Sequence, residues 1–256
     1  MRDITWRTIK SSRIRTLRRK ETEVTISMPF TQATLDFLFQ NWVNNSKEFF
    51  EAHREDYRRL VVEPFQALVI ALTPGMLKID ERFITEPKID RTISRIYRNM
   101  SIPSNRLKSR YRENCWLVFS RDKQLWGGPP AYYFEINPGG FGYGMGYYQA
   151  DREALAAIRA MLLAGEPSAK TAMEAFRSQD VFGMYGEPYK RSKYPDQPEE
   201  LRLWLDRKGI GFQRESADLD LLFSENLADK LLRDFQLLAP IYRLFLDAEA
   251  RKIHEN

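Results

Sequence analysis

From Thr31 onward the apolar residues Leu35, Leu38, Phe39 and Trp42 fall at i, i+3, i+4 and i+7, the spacing of one buried helical face, with Thr31 placed to cap it. Asn44-Asn45-Ser46 interrupts the pattern. Asn45 with Glu48 three residues on has the form of a capping box for a second helix, whose buried stripe reads Phe50, His53, Tyr57, Val61, Phe65 and Leu68. Pro64 lacks an N–H and is expected to bend or end that helix. From residue 91 the period shortens to two, predicting four strands: Ile93 to Met100, Cys115 to Arg121, Tyr132 to Asn137 and Phe141 to Tyr148. Their short connections favour antiparallel pairing, because parallel strands need long crossovers. Helical spacing returns at Asp151 through Leu155, Ile158 and Leu162, stops at Gly165, and resumes from Ser168 to Phe176. Another helix starts near Asp196, buries Leu201, Trp204 and Leu205, and ends at Gly209. A short strand over Ile210 to Arg214 precedes a long helix from Ser224, bent at Pro240, with Leu227, Leu231, Leu238 and Phe245 inward. The order predicts an α+β fold in a single domain over residues 28–250: a central antiparallel β-meander flanked by N-terminal and C-terminal helices.

The run Asn137-Pro138-Gly139-Gly140-Phe141-Gly142-Tyr143-Gly144-Met145-Gly146 changes the picture of that sheet. Glycine at every second position leaves one face of the strand without side chains, while Phe141, Tyr143, Met145 and Tyr147 crowd the other. Pro138-Gly139 has the chemistry of a type II turn, which makes a hairpin with the preceding strand. In the simplest register Ile136 faces Phe141, Glu135 faces Gly142, Phe134 faces Tyr143 and Tyr133 faces Gly144. Tyr133, Glu135 and Asn137 then stand beside a floor made of Gly142, Gly144 and their neighbours. Such a floor can admit a ligand, let another backbone approach, or lie under a covering Tyr133 or a packed helix. Glycines at spacing two between two strands are not a dinucleotide fingerprint.

Composition sets bounds on the chemistry. A single cysteine, Cys115, excludes an internal disulfide and a Cys-based zinc cage, and two histidines leave little for other transition metals; oxygen-only sites stay open. His53, on an apolar helical face, reads as a hydrogen-bonded core histidine rather than a base. No signal core and no run of eighteen apolar residues is present, so the expectation is a soluble, cytoplasmic protein with no membrane partner. The formal charge of +5 is local. Residues 1–27 carry eight cations against three anions, leaving 32 of the 40 cations and 32 of the 35 anions for the rest. That segment reads as a basic, disordered or appended tail, and nucleic acid is expected only weakly and through it.

Within the neutral body, cations gather beside aromatics: Arg95 and Arg98 flank Tyr97, and Tyr189-Lys190-Arg191-Ser192-Lys193-Tyr194 holds three more. Converging guanidinium and ammonium groups suit a phosphate or carboxylate. Pairing with Glu187, Asp196 and Glu199 is the competing account.

Several segments taken together carry a resemblance. Asn44-Asn45-x-x-Glu48-Phe49-Phe50-x-x-His53-Arg54-x-x-Tyr57, then Arg95-Ile96-Tyr97-Arg98, then Asn137-Pro138-Gly139-Gly140 with its glycine strand and the helix at Glu153 to Arg159, then Tyr189-Lys190-Arg191 before Pro195-Asp196, form an ordered set over roughly Met28 to Asp247. It resembles the bacterial and fungal family catalogued as domain of unknown function 2461. The resemblance implies a compact α+β domain and brings no activity, cofactor or partner. One departure falls after Arg98. Asn99 stands where the family pattern has an acidic residue, and Ser104-Asn105-Arg106-Leu107-Lys108-Ser109 replaces a basic-Ser-Pro-Tyr-Lys-like stretch. Two function classes stay open. In one, a small anionic molecule is bound or transformed by Arg95, Arg98, Lys190 and Arg191 with Tyr133, Glu135, Gly142 and Gly144; in the other, the same residues belong to a non-catalytic interaction module.

Overall fold

The computed structural model describes residues 30–121, 128–147 and 152–254. The basic segment 1–27, and with it the expected tail, lies outside the described residues, as do Tyr148 and Asp151, where a predicted strand ended and a predicted helix began.

Helix α1 spans Gln32–Asn44, and at its start the Thr31 N–H donates to Thr34 Oγ1 at 3.2 Å. Phe37 rather than Phe39 reaches the core; Phe39 is half exposed. The capping box expected at Asn45 is not formed. Asn45 instead closes α1 in the left-handed region (φ 49°), a conformation that a short amide side chain tolerates, and Ser46 caps helix α2 (Lys47–Ala52) by accepting from the Phe49 N–H at 3.0 Å. His53 is half-buried rather than a core residue: it stacks on Phe49 and pairs its Nδ1 with the Phe49 carbonyl at 2.8 Å.

Helix α3 (Arg54–Tyr57), a π turn (Arg58–Val62) and helix α4 (Glu63–Ile79) run on as one helical stretch. Pro64 therefore neither ends nor breaks it. It offers no N–H to the carbonyl four residues back, and the π turn, whose bonds reach five residues, carries the chain past that gap. By length and composition alone this stretch could cross a membrane, the one such helix among the described residues. Here its Val61, Phe65, Leu68, Val69, Leu72 and Met76 are buried in the core.

The sheet is antiparallel, with strands β1 (Cys115–Phe119), β2 (Ala131–Asn137), β3 (Gly140–Gly146), β4 (Gly183–Tyr185) and β5 (Gly211–Ser216) in spatial order β1-β2-β3-β5-β4. The hairpin register is the one expected, Glu135 opposite Gly142 and Tyr133 opposite Gly144. Its turn is not type II, because the positive φ falls on Gly140 (136°) and not on Gly139; Asn137 Oδ1 accepts from the Gly139 N–H at 2.8 Å. The predicted strand over Ile93 to Met100 is also absent. That segment meets β1 only around Ile93, through Val118 N–H to Thr92 O and Ser94 N–H to Trp116 O, and then turns away. Ile96 and Arg98 pair instead with Arg112 and Arg110, making a strap closed at Tyr97 and Tyr111. Strand β4 had no sequence signal, since three residues are too few to show a period.

One sheet face carries Cys115, Leu117, Phe119, Tyr132, Phe134, Ile136, Phe141, Tyr143, Met145 and Phe212, all buried under the helical layer. Helices α5 (Arg152–Leu163), α6 (Pro167–Arg177), α7 (Glu199–Leu205), α8 (Leu219–Leu222), α9 (Leu227–Leu237) and α10 (Ala239–His254) complete that layer. The long C-terminal helix expected from Ser224 is two helices divided at Leu238. Pro240 lies in the first turn of the second, where its missing N–H costs nothing. Aromatic contacts Phe30–Phe134, Tyr132–Phe235 and Phe212–Phe245 join the two layers. Two buried carboxylates pin it: Asp80 between Arg121 and Tyr242, and Asp234 between Tyr143 Oη (2.5 Å) and Lys230 Nζ.

Candidate functional site

The opposite sheet face is built by cross-strand rows. Trp116, Glu135, Gly142 and Glu215 form one, Val118, Tyr133, Gly144 and Gln213 the next, and Ala131, Gly146, Gly211 and Tyr185 the third. All of these residues except Gly144 and Gly211 line a cavity of about 510 Å³, to which Arg112 and Asn114 also contribute. The glycines make its floor, but the floor is not bare. The phenol of Tyr185 lies over Gly211 and Gly146, the Glu215 carboxylate leans onto Gly142, and the β5 backbone itself closes on Gly144 and Gly140. The close-approach reading of the glycines accounts for Gly144, and neither Tyr133 nor a packed helix supplies the cover. Tyr133 stands beside the floor, its Oη 3.5 Å from Gln213 Oε1.

Two carboxylates flank Gly142. Glu135 is held by Asn114, whose Nδ2 donates to Oε1 at 2.8 Å. Glu215 is largely exposed, but where its carboxylate leans onto the floor, partial desolvation and then the charge of Glu135 raise its pKa. Burial likewise pushes the Tyr133 and Tyr185 phenols upward. A carboxyl biased toward holding its proton beside a second, amide-anchored carboxylate is an arrangement able to give and take protons. Among the described residues no group of three His, Cys, Asp or Glu could hold a metal. Cys115 is fully buried, its thiol pushed up to about 12 by desolvation, which leaves it inert as a nucleophile.

Beyond the β1 edge lies a second cavity of about 600 Å³, lined by Asp90, Ser94, Arg95, Tyr97, Arg98, Asn99, Ile102, Ser104, Asn105, Lys108, Arg112 and Trp116. Four cations face one carboxylate in it. The Arg112 guanidinium sits 4.8 Å from the Trp116 ring centre, and both residues line both cavities, so this stack is a shared wall. Arg95 pairs with Asp90 at 2.5 Å, which holds its pKa up, and Arg98 donates from Nη1 to the Ser109 and Tyr111 carbonyls, both at 2.8 Å.

The sequence candidates thus occupy three places. Tyr133, Glu135 and Gly142 line the first cavity, Gly144 lies in the same rows but is closed off by the β5 backbone, and Arg95 and Arg98 belong to the neighbouring cationic cavity. Lys190 and Arg191 are exposed on the segment after β4, at the opposite edge of the sheet, and do not join the other cations. Glu187, named as a pairing partner for them, pairs with Lys208 at 2.7 Å. Arg112, Trp116, Tyr185, Gln213 and Glu215 were not singled out from sequence. Gln213 lies on the strand predicted over Ile210 to Arg214 and Glu215 just beyond it, but only pairing with β3 brings them to the glycines.

The family model described as conserved hypothetical protein (DUF2461) matches residues 33–244. No curated protein and no solved structure matches the chain.

Proposed function

The chain belongs to the DUF2461 family of conserved hypothetical proteins, and from the geometry above we propose that it binds a small polar molecule bearing an anionic group. The anion is taken by the cationic cavity, where Arg95, Arg98, Lys108 and Arg112 outnumber Asp90, and the rest of the molecule extends over the Arg112–Trp116 wall into the first cavity beside Tyr133 and Glu135. The shared wall is the observation that carries this reading, because it sets the two modest cavities side by side, with Arg95, Arg98 and Lys108 in one and Glu135 and Glu215 in the other. Lys190 and Arg191 have no part in it.

The test is a melting-temperature titration with phosphate, sulfate and citrate at constant ionic strength, on wild type and on the double variant Arg95→Gln, Lys108→Gln. Arg98 is left in place because it holds two backbone carbonyls. A ligand at about 100 times its Kd should stabilise wild type by about 2.7 kcal/mol. The Arg95–Asp90 pair is solvent-exposed and worth about 1 kcal/mol or less, so the unliganded variant should melt close to wild type. Loss of the anion response in the double variant supports the reading. A flat wild-type titration, or equal responses in the two proteins, overturns it.

A further inference from the structure

Building on that reading, we propose that the anionic group is the headgroup of a membrane lipid, and that the strap tip docks on an anionic bilayer surface. From Arg95 to Arg112 the chain holds six cations, Arg95, Arg98, Arg106, Lys108, Arg110 and Arg112, and no Asp or Glu, within a body whose formal charge sums to zero. Leu107, between Arg106 and Lys108, is fully exposed (101 %). Tyr97 and Ile102, each 46 % exposed, line the cationic cavity itself. An apolar rim on a cationic cavity is matched by a surface that offers phosphate at one depth and hydrocarbon just below it.

The tip is built to present these residues. Asn99 Oδ1 accepts from the Ser101 N–H (3.0 Å) and Oγ (2.7 Å), and the Asn105 amide donates to the Asn99 carbonyl at 2.9 Å, closing a single 3₁₀ turn over Pro103–Asn105. The two bonds to Oδ1 need only an acceptor, and asparagine supplies it without placing a negative charge at the tip. Nucleic acid would also satisfy the cations, but it offers no apolar depth to the exposed Leu107 and Ile102.

The experiment is co-sedimentation of the full chain with unilamellar vesicles of phosphatidylcholine alone, or with about one part in four of phosphatidylserine. Wild type should partition onto the anionic vesicles only, and less as salt is raised. Leu107→Ser, which leaves every charge in place and alters a fully exposed side chain, should weaken partitioning about tenfold by removing the inserted side chain. Arg106→Gln with Lys108→Gln should weaken it and flatten the salt dependence. No vesicle binding by wild type, or equal binding by Leu107→Ser, overturns the proposal; the latter would mean that other basic segments do the binding. Competition by a duplex oligonucleotide together with indifference to Leu107→Ser would assign the surface to nucleic acid and also overturn it. The two readings fail separately. Phosphate stabilisation without vesicle binding leaves a site for a soluble anion and removes the lipid; Leu107-dependent vesicle binding without any response to soluble anions removes the headgroup from the cavity.

Discussion

Replacing Asp80 by alanine is expected to be among the most destabilising single changes in this chain, by about 3–5 kcal/mol, because it leaves the half-buried Arg121 and the fully buried Tyr242 without their acceptor. The Asp80 side chain is 3 % exposed and accepts from Arg121 Nε, from Tyr242 Oη at 2.7 Å and from the Arg82 N–H at 3.0 Å. It ties the end of α4 to the residue after β1 and to α10, three parts of the chain with no sequence proximity. In a domain of this size the loss should lower the melting temperature by about 10 °C. The pH dependence has a definite sign. Burial by itself would raise the Asp80 pKa, but the hydrogen bonds from Arg121, Tyr242 and the Arg82 N–H outweigh it and hold the carboxyl below its ordinary value. A group depressed in the folded state contributes its stability fully above the unfolded value of about 3.9 and loses it as pH falls through the lower folded value. Wild type should therefore lose stability on acidification below about pH 4, and Asp80→Asn should start lower but fall less steeply over the same window. Melting curves from neutral pH downward for the three proteins check both statements; an alanine variant within about 1 kcal/mol of wild type would show that the cluster does not hold these elements together.

Gly144→Val is expected to be as damaging for a different reason. A Cβ at Gly144 would sit 2.0 Å from the carbonyl oxygen of Phe212 and 3.0 Å from the Cα of Gln213, both backbone atoms of the paired strand, which no rotamer change can move. The cost should reach or exceed the upper end of the roughly 1–3 kcal/mol typical of overpacking, because relief requires parting β3 from β5. Gly142→Ala is the control. There the nearest atoms, at 2.6–2.9 Å, are the end of the Glu215 side chain, which can swing away, so denaturant unfolding should show a far smaller loss. A tolerated Gly144→Val beside a damaging Gly142→Ala would contradict the close approach of β5.

By itself the sequence determined the α+β class, the membership of the family, the hairpin and its register, and most of the helical core. These rest on local periodicity and on glycine, proline and capping chemistry, which act over a few residues and can be read in order along the chain. Glu135 opposite Gly142 was legible because a two-residue connection leaves the register almost no freedom. Other local signals misled. Ile93 to Met100 alternates like a strand, yet backbone partners at Arg110 and Arg112 draw it into a strap, and Asn45 resembles a cap because asparagine suits both a helix start and a left-handed helix end. Only the tertiary structure decided what lies against the glycines and which cations meet. Gly144 faces β5 and Gly142 lies between Glu135 and Glu215 because a strand some seventy residues later pairs with β3, and the spacing of residues 138–146 carries no information about that partner. Arg95, Arg98, Lys108 and Arg112 share a cavity while Lys190 and Arg191 do not, because sheet order places the two groups at opposite edges. Charge is written in the sequence, but convergence is a property of pairing between distant segments, set by the free energy of the whole packed layer rather than by any window of residues.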